Sequence, residues 1–294
     1  MGVNWVSIHP YARVRGDGAV GWSVDPAESP EWLTRPIEEA HRLGMKIMII
    51  PHLAHWGSPF SWKGDIGFDD AASWRRFFDS YEEWILQVAS ICRDADGFSV
   101  GCELDRTTAF ESEWRRIIGG VRSRTAAPLT FASNWTDYRR VPFWDALDVI
   151  GIQAYFPLVA HDRAPTEREV ADAWRRIMSE LRAFARSNDR RIVFTELGYD
   201  RSTKAAKEPW ASSRRRDRSG SEPEADAELV QLRCLDAALR AIDRDDVVVG
   251  AFLWKWFPGE TSRGDFRMSA DGPAEVITGR WSVAEPDAAS AVAP

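Results

Sequence analysis

Cysteine is scarce in this sequence: Cys92, Cys102 and Cys234 are the three present, far apart and never in a C-x-x-C pair. That excludes a disulfide framework and a zinc knuckle, and the thiols read as reduced core or near-site groups. Basic charge is in the minority, with 38 Lys and Arg against 45 Asp and Glu, a net charge of −7 and a pI near 5.4. No global positive field is available to a phosphate backbone, so nucleic acid is not an expected partner. Long apolar runs are missing as well; none approaches the roughly 18 residues a membrane span requires. Met1 leads at once into strand-like sequence, not a charged n-region and apolar h-region, so neither a membrane partner nor a signal peptide is expected. Gly16, Gly18 and Gly21 lack the G-x-G-x-x-G spacing of a dinucleotide loop. His9, His52 and His55 invite a metal reading, but no H-E-x-x-H or H-x-H occurs and no strand-end carboxylate completes a known set. No metal and no cofactor are therefore expected.

What is present suits one large folded domain. Hydrophobic residues make up 44% and charged residues 28% of the 294 positions, ordinary proportions for a globular chain with a sizeable core. Tryptophan is abundant, at 15 residues. Each buried indole must place its N–H, so a core takes few of them, and the surplus points to rings exposed in a cleft where sugars stack. Trp74, Trp84, Trp114 and Trp174 fit the plainer role of packing helices onto a sheet.

Short β-rich runs alternate with longer runs of helical period, the pattern of parallel strands joined by crossover helices. The strands are expected at Asn4–His9, Lys46–Pro51, Phe98–Glu103, Leu129–Ser133, Val149–Tyr155, Ile192–Glu196 and Val247–Trp254. Apolar stripes at helical spacing run from Trp74 to Ile91, from Val170 to Phe184, and through Leu229, Leu232, Leu235, Leu239 and Ile242. Long loops are expected at His52–Ala72, rich in aromatics, and at Tyr199–Ala225, polar and carrying Arg214-Arg215-Arg216, a run read as solvated surface. The domain is placed at residues 1–283, with 284–294 a small-residue tail.

Two of these strands end in a carboxylate: Val100-Gly101-Cys102-Glu103-Leu104 and Phe194-Thr195-Glu196-Leu197-Gly198-Tyr199. In a barrel of this type the catalytic groups stand at the C-terminal strand ends. An ionised Glu there is costly unless something uses it. One such Glu could serve a structural ion pair equally well; two at matching strand ends favour function. The local wording, together with Phe252-Leu253-Trp254-Lys255-Trp256-Phe257, resembles the retaining glycosidases of clan A, the 4/7 superfamily, and within it glycoside hydrolase family 113, whose members are chiefly β-1,4-mannanases. The likeness extends from Gly2-Val3-Asn4-Trp5-Val6 to Trp281.

The resemblance implies an α/β fold of the (β/α)8 TIM-barrel type and a polysaccharide or oligosaccharide substrate, with the protein expected as a monomer. It implies Glu103 as acid/base and Glu196 as nucleophile, the two carboxyls about 5–5.5 Å apart. Tyr155 matches the clan position that hydrogen-bonds the nucleophile, although a capped core tyrosine would look the same in sequence. Cys102 departs from the pattern, since many clan members have Asn there for the sugar 2-OH and a thiol is a weak donor. Trp254 and Trp256, two apart on the last strand, are expected on one side of it, with Trp254 favoured as the floor under the reacting sugar. Asn134, Trp135 and His52 are candidates for neighbouring sugars, or for ordinary loop packing. Another β-glycan-directed retaining glycosidase and a non-catalytic carbohydrate-binding barrel are the competing readings.

Counting strands from the glutamates yields a further expectation. If Glu103 ends strand four and Glu196 strand seven, Asn4–His9 is strand two and the first β/α unit of the barrel is lacking, with seven strands visible and a closing helix around Pro273–Trp281. Such a chain is expected to be truncated or started at the wrong codon, to leave strand edges unpaired, and to be marginal in stability.

Overall fold

The computed structural model describes residues 2–25, 27–211, 224–256, 266, 268 and 272–281. The Arg214-Arg215-Arg216 run and the tail at 284–294 lie outside these residues. Seven parallel strands make a nearly closed barrel: β1 (Trp5–Ile8), β4 (Lys46–Ile49), β6 (Gly97–Cys102), β7 (Leu129–Asn134), β8 (Ile150–Gln153), β9 (Ile192–Leu197) and β10 (Val248–Leu253), hydrogen-bonded in that order. Strands β6 to β9 are sheathed on both faces, which is why they read as near-continuous apolar runs. The described residues contribute no strand between β1 and β10. Trp5 and Phe252 meet edge to face across that opening, 6.1 Å between centroids. A cavity of about 1160 Å3 lies beside the opening, lined by Trp5, Gly97, Pro128, Val149 and Trp281. The first four lie at the N-terminal ends of the strands, opposite Glu103 and Glu196, and Trp281 ends α6.

Helices surround the barrel: α1 (Glu31–Arg42), α2 (Ala71–Ile91), α3 (Glu111–Arg122), α4 (Glu167–Asn188), α5 (Glu224–Asp243) and α6 (Pro273–Trp281). The stripe expected in α2 is its buried face, including Phe77, Phe78, Tyr81, Trp84, Ile85 and Val88, and the Asp70 carboxylate caps its first turn by accepting from the Ser73 N–H at 2.8 Å. In α4 a reciprocal box of Thr166 and Glu169 starts the helix, and Trp174 and Leu181 are buried. Of the stripe expected in α5, Leu235, Leu239 and Ile242 are buried and Leu229 is exposed, and Val230, Cys234 and Ala238 complete the buried face. Small residues on that face let the helix approach closely, which a search for leucines overlooks.

A second, three-stranded sheet was not expected. It is built from β2 (Tyr11–Val14), β3 (Val20–Gly21) and β5 (His52–Ala54), with β2 in the middle. Strand β2 runs parallel to β5, pairing Tyr11 with His52 and Arg13 with Ala54, and antiparallel to β3. The start of the loop placed at His52–Ala72 is thus a strand that extends the barrel wall past β4 and turns His52 inward.

Candidate active site

Strand β6 delivers Cys102 and Glu103. Glu103 takes a left-handed conformation, φ 51°, which costs a non-glycine residue on the order of 1–2 kcal/mol, and its N–H donates to the Ala132 carbonyl at 2.8 Å. Backbone in that region gathers at functional sites. Glu196 lies within β9 and is almost wholly buried. Both its carboxylate oxygens are held: Tyr155 Oη donates to Oε2 at 2.6 Å and Gln153 Nε2 to Oε1 at 3.1 Å. The Tyr155 hydroxyl therefore serves Glu196 and is not a core cap. Gln153 also donates to Cys102 Sγ at 3.0 Å, tying β8 to β6 beneath the site.

Lys63 completes the constellation. Its Nζ lies 2.7 Å from Glu103 Oε2 and 3.4 Å from both Cys102 Sγ and His52 Nδ1. An ammonium only donates, so His52 Nδ1 must offer its lone pair and His52 Nε2 carries the hydrogen. That hydrogen faces His9 Nδ1 at 3.2 Å, and His9 Nε2 in turn stands 3.1 Å from Ser7 Oγ. Burial, reinforced by the Lys63 charge, holds both imidazoles far below their usual range, His9 down to about 3. His52 Nε2 is 3.7 Å from Glu196 Oε1, a contact of a neutral ring.

Electrostatically the site is tense. Burial first and the Glu103 charge second push the Glu196 carboxyl up, opposed by Lys63, Tyr155 and Gln153. Burial also drives the Tyr155 phenol and the Cys102 thiol up, so both are neutral. For Lys63, burial pulls down but the surrounding negative charge more than offsets it and the net shift is upward. His9, His52 and Glu196 present ligand atoms within 4.8 Å of one another. Such spacing suits a metal ion, but the Lys63 ammonium beside His52 disfavours a second cation there.

Aromatic rings form the walls. Trp254 lies nearly parallel to His52, 6.2 Å between centroids and 17° between planes, and tilts against His9 at 5.2 Å. Its peptide bond to Lys255 is cis. Strand β10 ends at Leu253, so period-two alternation does not carry on to Trp256, which is 42% exposed and bridged to Met268. Of the two, Trp254 is the ring against the site. Tyr11 stacks on Trp56 at 5.8 Å on one flank, and Trp135 stacks on Trp210 at 5.5 Å on another. Asn134 ends β7 and is half-buried.

The structure thus gathers Glu103, Glu196, Tyr155, Cys102, His52 and Trp254 at one site, with Trp135 in a flanking wall. Lys63 and Gln153 have no counterpart among the sequence candidates. Gln153 had a faint signal, ending β8 two residues before Tyr155, while Lys63 sits in a loop without periodicity and had none.

A family model described as Glycoside Hydrolase Family 113 matches residues 1–266. Among solved structures, a GH113 β-mannanase, AaManA from Alicyclobacillus acidocaldarius in complex with ManMIm, superposes with a TM-score of 0.77 at 24% identity, covering 95% of this chain and 87% of that one. A GH113 β-1,4-mannanase gives the same score and coverage at 21% identity. The Ruminococcus gnavus β-glucuronidase is more distant, with a TM-score of 0.57 at 16% identity over 85% of this chain and 42% of that one. At these identities the likenesses establish the fold. No curated protein matches.

Proposed function

The chain belongs to glycoside hydrolase family 113, and we propose that it cleaves β-1,4-mannosidic bonds of mannan or manno-oligosaccharides by double displacement with retention. Membership makes it an O-glycosyl hydrolase with a polysaccharide or oligosaccharide substrate. The observation that carries the finer reading is the fixing of Glu196 by donors on both oxygens while Glu103, from the opposite side of the barrel, shares its surroundings. An anchored carboxylate suits a nucleophile, which must present one lone pair along the line of attack.

Glu196 attacks the anomeric carbon as Glu103 passes its proton to the leaving oxygen. Water, deprotonated by Glu103, then releases the sugar from the glycosyl ester. Trp254 provides an apolar face under the reacting ring, and Trp135, Asn134 and His52 line the approach. The manno preference is drawn from the two β-mannanases of the same family whose fold this chain shares. Trp256 is assigned no more than a place at the rim.

Reducing ends released from mannan, glucomannan and manno-oligosaccharides test the substrate, and NMR of the first-formed anomer tests retention. Azide added to a Glu196→Ala variant should yield a glycosyl azide of inverted anomer, and added to Glu103→Ala one of retained anomer. Tight binding of mannan without turnover would replace this reading with a carbohydrate-binding barrel.

A further inference from the structure

Lys63 has no part in the double displacement just described, yet its side chain is only 11% exposed and pairs with a Glu103 side chain 14% exposed. An ammonium is seldom withdrawn so far from water unless its charge is matched. A structural ion pair would need one carboxylate. This cation also lies 3.4 Å from His52 Nδ1, and the other nitrogen of that ring is 3.7 Å from Glu196 Oε1, so one imidazole separates it from the second carboxylate. Its neighbours His52 and Cys102 carry no charge, and in the wider site the His9 ring is neutral and Tyr155, Tyr11 and Tyr81 are held protonated by burial. From the β10 side Lys255 lies over the Trp254 ring, 5.0 Å from its centroid, and also acts on His9. Beyond Glu103, Asp105 is raised to about 8 by burial, then by Asp137 and Glu103.

The turn that carries Lys63 is closely held. Gly64 is buried with the Trp62 ring so near that no Cβ fits, Ser61 Oγ donates to Asp65 Oδ2 at 2.5 Å, and Arg106 Nη1 reaches the Asp65 carbonyl at 3.4 Å. A stapled turn delivers the ammonium to one place.

Charge accounting gives that place a meaning. In the first half-reaction the bond from C1 to the leaving oxygen breaks, an oxygen of Glu196 bonds to C1, and the Glu103 proton goes to the leaving oxygen. In the second, a water oxygen bonds to C1, the ester bond to Glu196 breaks, and the water proton goes to Glu103. One negative charge moves from Glu196 to Glu103 and back. We propose that Lys63 is the positioning residue for this migrating charge, a fixed cation paired with Glu103 and one imidazole away from Glu196, which keeps the site near neutrality through each half-reaction and favours Glu103 as carboxylate while it acts as base. This rests on the assignment of Glu103 and Glu196 as acid/base and nucleophile.

Two measurements on wild type, Lys63→Met and Lys63→Arg test it. Carboxyl titrations, followed by 13C NMR of glutamate-labelled protein, need no turnover. In Lys63→Met the buried carboxyls should titrate about one pH unit or more higher, and in Lys63→Arg near wild type. The second measurement is the pH dependence of kcat/KM on manno-oligosaccharides and of kcat on an aryl β-mannoside with a good leaving group, for which ester breakdown limits turnover. Lys63→Met should shift both limbs of the kcat/KM profile upward. On the aryl substrate it should give a burst and then a rate reduced about tenfold or more on the acid side, recovering at higher pH. Titrations and limbs that stay in place in Lys63→Met, whatever the height of the profile, would overturn the proposal. If Lys63→Met does not fold, Lys63→Gln, which removes the charge and keeps a polar side chain, should move the same titrations in the same direction, and unmoved titrations would likewise refute the idea. A wild type inactive on all mannosides would remove the substrate assignment, while the NMR titration would still decide the role of Lys63.

Discussion

Tyr155 Oη donates a 2.6 Å hydrogen bond to Glu196 Oε2, joining the segment after β8 to the carboxylate of β9 in a place without solvent. A neutral donor to a buried carboxylate is worth about 1.5–3 kcal/mol. Tyr155→Phe should therefore lower kcat/KM by roughly 10- to 100-fold, with the fold intact by circular dichroism. Unchanged kinetics would mean that Gln153 alone orients the nucleophile.

Glu196→Gln should raise thermal stability, and by more at alkaline than at acid pH. Burial and Glu103 lift the Glu196 carboxyl, so the folded protein holds that proton more tightly than the unfolded chain does. The stabilisation is complete below the unfolded pKa and is lost as pH rises through the folded one. An uncharged amide escapes this loss and still accepts from Gln153. Scanning calorimetry between about pH 5 and about pH 8 should show the Tm difference widening; a constant or reversed difference would contradict the assigned shift.

Trp254→Ala should weaken oligosaccharide turnover through KM, kcat or both. Loss of a stacking face is expected to cost on the order of 1–2 kcal/mol. Trp256→Ala serves as the control, because its ring lies beyond the end of β10. If Trp256→Ala proved the more damaging, the floor of the site would have to be reassigned.

Gly198 allows β9 and β10 to approach where Trp254 begins. A methyl group there would meet the Trp254 carbonyl, which cannot yield without moving the backbone, and the Trp254 N–H is bound to the Leu197 carbonyl at 2.8 Å. Gly198→Ala should lower both Tm and activity, with a change in tryptophan fluorescence. A variant with wild-type activity would show that the position of Trp254 is not critical.

Much of the site was legible because strand-end glutamates within apolar runs have few cheap explanations. Glu103 and Glu196 stand out in Val-Gly-Cys-Glu and Phe-Thr-Glu-Leu, and the resemblance to clan A supplied Tyr155. The strands of the barrel were legible for the same reason: doubly covered parallel strands read as apolar blocks, whereas α1, with Pro36 inside, and α3, with Gly119 and Gly120 near its end, carry residues that usually argue against helix. The small sheet of β2, β3 and β5 escaped because its strands are two to four residues long, too short for periodicity to register.

By itself the sequence determined the alternation of elements, the buried faces of α2 and α4, and the two carboxylates, since each is written in local pattern. Only the tertiary structure decided what faces those carboxylates. Lys63 is separated from Glu103 by a helix and a strand, and no local spacing records their 2.7 Å contact. His9 and His52 resemble metal ligands in the chain, but beside the Lys63 ammonium they form a neutral relay ending at Ser7. Charge, burial and donor direction depend on which strands become neighbours, and that is settled when the barrel forms.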